Sequence, residues 1–308
     1  MDFIEVSRTR TTFPQAVPFL HGVFAMNRLI ALCAAAVLSS SAFPVAAGCL
    51  DDVKSSGVLT AGNGLMGTRP FVWQNEDGSY GGFEADMLKE VGKRIGVPKT
   101  DFVVTEWSTL IPGLKSKRWD IIFSSMSATQ ERIQSANVRF SRPYFLLYDE
   151  IIVKTDSPIQ SFADLKNRKV ATTLGTNDSV NAHRLATEGQ IGEVMDFNSF
   201  GEPFMALQNG QVDAVLLDQG TLLGQREKMK NLRVVGQPIY YHPKPEWVDA
   251  ENKANYKFGT SAAAVRAECS DLLTAINGAL QSMDQDGTRQ KILTKYGAWS
   301  PEQAVLTK

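Results

Sequence analysis

Two polar residues, Ser125 and Asp218, close two copies of one phrase. Leu114, Asp120 and Ser125 recur in spacing as Leu207, Asp213 and Asp218, and each middle Asp opens a short apolar run, 121–123 or 214–217. A helix, a tight turn and a buried strand read this way. In open α/β sheets ligands bind outside the carboxyl ends of strands, where both residues would sit. An Asp that follows an apolar strand is costly to bury alone. A cation relieves that cost, or the Asp caps the helix that follows. Other chemistry finds little support. Gly62, Gly64 and Gly67 spell G-x-G-x-x-G after a strand. A dinucleotide site needs a helix to begin inside that motif, and Pro70 disfavours helix at Arg69. His183 and His242 lack metal-ligand spacing, and C-x-x-C, H-E-x-x-H and G-x-S-x-G do not occur. No cofactor or metal is expected.

The elements that must position these residues alternate. Strands are expected at 57–61, 101–104, 120–123, 150–154, 169–173 and 257–265. Between them, Phe83, Met87, Leu88, Val91 and Ile95 fall at helical spacing, closed by Gly96 and Pro98. Further helices are expected at 109–117, 180–187, 269–284 and 288–296, with Leu272, Leu273, Ile276 and Leu280 on one face. Asp77-Gly78 marks a turn. Strands alternating with helices predict α/β lobes, and the repeated phrase predicts two of them.

The chain has 308 residues, enough for two cores. Its hydrophobic share of 43% and charged share of 21% are globular values. A net charge of −1 argues against nucleic acid or an anionic membrane as partner. Met26 to Arg28 begin a positive region, 29–38 is apolar but short for a span, and Val45, Ala46 and Ala47 suit signal peptidase. Residues 1–47 are therefore an extension plus signal peptide, with Met26 as the true start or residues 1–25 as a long n-region. Cys33 falls in the signal. Export permits a Cys49–Cys269 disulfide. A weak lipoprotein box at 46–49 and two free thiols are the alternatives.

An ordered set of short motifs then carries a resemblance. It runs Pro70-Phe71, Gly82-Phe83-Glu84-Ala85-Asp86, Trp119-Asp120-Ile121-Ile122, Ser125-Met126-Ser127-Ala128-Thr129-Gln130-Glu131-Arg132, Pro143-Tyr144, Gly175-Thr176, Gly210-Gln211-Val212-Asp213 and Asp286-Gly287-Thr288. Over roughly residues 50–300 the chain resembles the periplasmic solute-binding proteins of family 3, the polar amino-acid uptake class. The resemblance implies a two-lobed periplasmic-binding-protein fold of type II with two crossover strands and a ligand cleft between lobes. Residues 50–146 and 259–300 would form lobe 1, and 147–258 lobe 2. It also implies hinge closure around an amino acid and docking on an ABC permease in the inner membrane, by a periplasmic monomer.

The resemblance also assigns a site. Arg132 would grip the ligand α-carboxylate, which a planar guanidinium suits with paired donors. Alone it would read as a surface Arg beside Glu131. Asp218 would take the α-ammonium from the opposite lobe, so a zwitterion bridges the two. Ser125 and Ser127 would add polar contacts. Thr176 and Asn177 follow Gly175 at a helix start, where free backbone N–H groups favour a carboxylate. Asp178 would contact the ligand or cap that helix. Trp107 would line the ligand side chain, or pack in the core. Where many members stack an aromatic, this chain has Thr68, and Phe71 or Trp73 would substitute. No acid at that place favours a basic amino acid. An enzyme of the cyclohexadienyl or prephenate dehydratase type on the same scaffold is the alternative. It would need an acid or base aimed at the reacting carbon, for which Glu106 and Asp178 are the candidates.

Overall fold

The computed structural model describes residues 48–65 and 67–307. The expected signal peptide, Met26 and residues 1–25 lie outside the described residues. The first stretch of chain runs α1 (Cys49–Ser56), β1 (Val58–Asn63), β2 (Trp73–Gln74), β3 (Tyr80–Gly81), α2 (Phe83–Arg94), β4 (Lys99–Val104), α3 (Leu110–Lys115), β5 (Ile121–Ile122), α4 (Gln130–Ser135) and β6 (Val138–Phe140). The middle stretch runs β7 (Asp149–Lys154), β8 (Val170–Thr173), α5 (Asn177–Thr187), β9 (Val194–Phe197), α6 (Glu202–Gln208), β10 (Ala214–Asp218), α7 (Gln219–Lys228), β11 (Leu232–Ile239) and α8 (Val248–Lys253). The last stretch returns with β12 (Ala264–Arg266), α9 (Ser270–Gln285) and α10 (Thr288–Lys295).

Two five-stranded sheets result, ordered β4-β1-β5-β12-β6 and β11-β7-β10-β8-β9. They share a plan. In the first, β1 pairs parallel with β4 and β5, and β12 enters antiparallel. In the second, β8 pairs parallel with β9 and β10, and β7 enters antiparallel. The antiparallel strand of each sheet follows a crossing from the other lobe. The parallel strands β5, β8 and β10 are buried on both faces, and β10 reads as a continuous apolar run through Val215, Leu216 and Leu217. Helices carry one apolar face to the sheets. In α2, Phe83, Met87, Leu88 and Val91 are buried, with Glu84 and Asp86 in the first turn and Lys93 and Arg94 in the last. That charge order suits the helix dipole.

The repeated phrase does the same work twice. Asp120 accepts from Thr60 N and Thr60 Oγ1 at 2.8 and 2.6 Å, tying the start of β5 to β1. Asp213 accepts from Lys169 N at 2.8 Å, tying the start of β10 to β8. Each Asp satisfies a backbone donor just where a parallel ladder begins.

The crossing segments lie side by side. Ser261 forms bridges with Ser127 and with Phe145. Tyr144 N donates to Ser261 O and Ser261 N to Phe145 O, both at 2.9 Å. The strand expected at 257–265 is therefore shorter, and only Ala264–Arg266 joins the sheet. Gly259 (φ +76°) turns the chain against the Tyr241 ring, and 260–262 serve the crossing instead. Of the three fates open to the cysteines, the structure has the disulfide. Cys49 joins Cys269 with Cα atoms 5.2 Å apart, fastening α1 to the start of α9.

Candidate functional site

A cavity opens between the lobes at the carboxyl ends of β5 and β10. Nine of the ten residues singled out in the sequence line it: Phe71, Trp107, Ser125, Ser127, Arg132, Thr176, Asn177, Asp178 and Asp218.

Arg132 enters from α4. Thr129 caps that helix, its Oγ1 accepting from Arg132 N at 3.1 Å. The guanidinium donates to Ser127 O at 2.6 Å and to Gly175 O at 3.0 Å. Among the described residues no carboxylate lies within ion-pair distance of it. Burial lowers its pKa to about 10, against the pull of Tyr241, Glu131 and Asp178. A half-buried cation held by two carbonyls still favours an anion.

Ser125 follows β5 with φ +44°, a left-handed conformation that costs a non-glycine residue. Buried Glu84 holds it there. The Ser125 N–H points at Glu84 Oε1 (2.5 Å) and at Tyr144 OH (3.0 Å), and the Tyr144 hydroxyl donates to the same carboxylate oxygen at 2.7 Å. Asn63 Nδ2 donates to Glu84 Oε2 at 3.1 Å. Desolvation raises the Glu84 pKa to about 7, with these bonds opposing. The Ser125 hydroxyl is buried at the cavity, and by geometry it has no hydrogen-bond partner among the described residues.

The facing wall comes from the second sheet. Asp218 ends β10 and has both roles the sequence left open. Its Oδ1 accepts from Thr221 N at 2.9 Å and its Oδ2 from Thr221 Oγ1 at 2.6 Å, capping α7, and the carboxyl still lines the cavity. Desolvation, then the charge of Asp178, push its pKa to about 7. Asp178 does not cap α5. Thr176 does, its Oγ1 accepting from Ser179 N at 3.1 Å and donating to Thr173 O at 2.7 Å. That hydroxyl is engaged in the cap. Asp178 sits buried in the first turn, its pKa raised well above the usual range by desolvation and by Asp149.

Trp107 is half-buried and serves packing and cleft together. Its Nε1 donates to Gly175 O at 3.1 Å across the cleft, and its ring meets Phe200 edge-on at 5.4 Å. Phe71 packs on Phe83 and Phe145 at 5.0 and 6.1 Å and turns its remaining surface to the cavity.

Thr68 is the correction. Its carbonyl accepts from Phe71 N and Val72 N, and it bridges Val72. Thr68 does not line the cavity, whereas Leu65 does. Glu106, a candidate acid for an enzyme, does not line the cavity either.

Asp149, Asn181, Leu147, Phe200, Tyr241 and Gly259 complete the lining and escaped sequence reasoning. Asn181 was reachable, since it lies three residues after Asp178 on the same helical face. Asp149 begins β7 opposite Asp218, a register that no local pattern reveals. Asn181 Nδ2 donates to Asp149 Oδ2 at 2.7 Å. Desolvation raises the Asp149 pKa to about 6.

Two α/β lobes of like topology, joined by two crossings and closing on a cavity at their strand ends, define a periplasmic-binding-protein fold of type II. The chain belongs to the bacterial extracellular solute-binding proteins, family 3, which it matches over residues 64–298. It is 30% identical over 253 residues to the L-cystine-binding protein of Escherichia coli K12, covering 81% of this chain and 86% of that one. It is 31% identical over 233 residues to an ABC transporter glutamine-binding protein of Bacillus subtilis, covering 74% and 77%. A mutant ArgBP from T. maritima superposes with a TM-score of 0.67 at 30% identity, over 82% of this chain and all (100%) of that one. An ancestral amino acid-binding protein described as a precursor of cyclohexadienyl dehydratase superposes at 0.66 with 29% identity, over 81% and 99%.

Proposed function

We propose that this protein binds an α-amino acid in the cleft, without turnover, and delivers it to an ABC importer. The observation that carries the reading is the pairing of unsatisfied charge across one cavity. Among the described residues, Arg132 on the first lobe has no carboxylate partner and Asp218 on the second has no cation. A zwitterion satisfies both and draws the lobes together. The unpartnered Ser125 hydroxyl and the first turn of α5 add donors for the carboxylate. In this reading lobe 1 comprises 50–146 and 259–300, and lobe 2 comprises 147–258. The amino-terminal signal peptide exports a monomer to the periplasm, where the closed form docks on its permease. The cystine-, glutamine- and arginine-binding relatives support the ligand class.

Titration calorimetry with α-amino acids, their methyl esters and their deaminated analogues tests the reading. Esters and deaminated acids should bind at least about a hundredfold more weakly, which is ~2.7 kcal/mol. Arg132→Ala should retain the fold and lose a similar amount. Full-strength binding by Arg132→Ala removes the carboxylate assignment, and consumption of the bound solute would favour the dehydratase.

A further inference from the structure

We infer that the ligand carries a second cationic group besides its α-ammonium, so that the cleft takes an amino acid with a basic side chain. This rests on the zwitterion reading above and narrows it. The charged lining of the cavity is unbalanced. One guanidinium, Arg132, faces three carboxyl groups, Asp149, Asp178 and Asp218. The three acids are 5%, 6% and 5% exposed, so water does little to relieve them. They come from three elements of one lobe: the start of β7, the first turn of α5 and the end of β10. Asp149 and Asp218 are direct partners in the β7–β10 ladder. Like charges so placed repel.

An α-carboxylate uses Arg132 and an α-ammonium neutralises one acid, which leaves two. A single ammonium carries one charge and offsets only one of the three.

Asn181 gives an independent indication. It is 1% exposed and lines the cavity. Its Nδ2 is committed to Asp149 Oδ2 at 2.7 Å, which fixes the amide orientation and leaves Oδ1 a buried acceptor with no partner. A wall made of surplus acceptors calls for a group that only donates, and ammonium and guanidinium are such groups. A second anionic group would meet no second basic residue in the lining. The rings of Trp107 and Phe200 offer apolar surface for the methylene stem. The alternative is that the wall keeps a proton. A proton held between Asp149 and Asp178, each of which desolvation drives toward its neutral form, would let the wall accept a neutral side chain.

Calorimetry on the purified protein near neutral pH separates the two. The probes are arginine against citrulline, lysine against norleucine and ornithine against glutamine. At least one cationic ligand should bind about tenfold or more tightly than its neutral counterpart. Asp149→Asn and Asp178→Asn should each shrink that ratio. Should those variants fail to fold, the wild-type protein in buffers of different ionisation heat still decides. Every α-amino acid should release the Asp218 proton in part, and a basic ligand should release more protons than its neutral counterpart. Equal or tighter binding by every neutral counterpart overturns the inference and leaves the proposed function standing. Binding of no α-amino acid at all overturns both.

Discussion

Asp218 shows how one side chain is held to two tasks at a cost. Its oxygens cap α7 through Thr221, yet its burial at the cavity makes the charged form expensive, and its pKa rises to about 7. An unfolded Asp titrates near 4. Between these two values the folded protein binds more protons than the unfolded chain, so stability falls as pH rises. The contribution is fully present below the unfolded pKa and is lost as pH passes the folded one. Asp149, raised to about 6, and Glu84, raised to about 7, act with the same sign. The empty protein should therefore melt higher near pH 5 than near pH 7.5, and ligand should reverse the order. Asp218→Asn keeps one acceptor oxygen for the cap and removes the charge. It should stabilise the empty protein near neutral pH by about 1–2 kcal/mol, flatten the pH dependence and abolish amino-acid binding. Urea titrations at the two pH values read the first two effects. A variant less stable than the parent near neutral pH would mean that the charged cap outweighs the burial penalty.

At the scale of elements, what the sequence made legible followed periodicity and punctuation. The apolar stripe and Gly96 marked α2, and the repeated phrase marked β5 and β10. The short or half-exposed pieces were not legible. Residues 194–197 of β9 are only partly buried and show no alternation, and α4 has six residues with none buried. The site was legible where a motif carried it, as at Arg132. It was opaque where register alone brings residues together, as at Asp149, or where a turn engages one, as at Thr68. Thr176 is the instructive intermediate. Its place after Gly175 suggested a ligand contact, while its hydroxyl caps α5. Thr176→Ala should thus cost about 1 kcal/mol of stability, typical of a lost cap. Ligand affinity should change far less than in Arg132→Ala. Denaturation and calorimetry on the same variant separate cap from contact. A loss of affinity as large as that of Arg132→Ala would return the hydroxyl to the ligand.

At the scale of the molecule, the chain passes between the two sheets in crossing segments, and one of them is held from both sides at Leu146. Gln303, in the 3₁₀ turn Pro301–Thr307, accepts from Leu146 N at 2.8 Å and donates to Leu146 O at 3.0 Å. Gln219, at the start of α7, donates to the same Leu146 O at 2.9 Å, and its Oε1 accepts from Tyr148 N at 3.0 Å. Buried Arg289 fastens the arrangement, donating to Gln303 O at 3.0 Å and Tyr144 O at 3.3 Å while paired with Asp284. The carboxyl-terminal turn thus braces the path by which the chain leaves one sheet for the other. Neither glutamine lines the ligand cavity. Gln303→Ala leaves Leu146 N a buried donor without its partner, which should cost about 1–3 kcal/mol of stability. If the brace also sets the balance between open and closed lobes, affinity should shift too, because a ligand that binds the closed form is weakened by the fraction of that form lost. Small-angle scattering with and without ligand, alongside a Kd, resolves the two effects. We expect a wider distribution of lobe separations in the empty variant and a weaker Kd. A destabilised variant with unchanged scattering and unchanged Kd would confine Gln303 to holding the chain together, and would place the hinge's compliance in the 259–262 crossing instead.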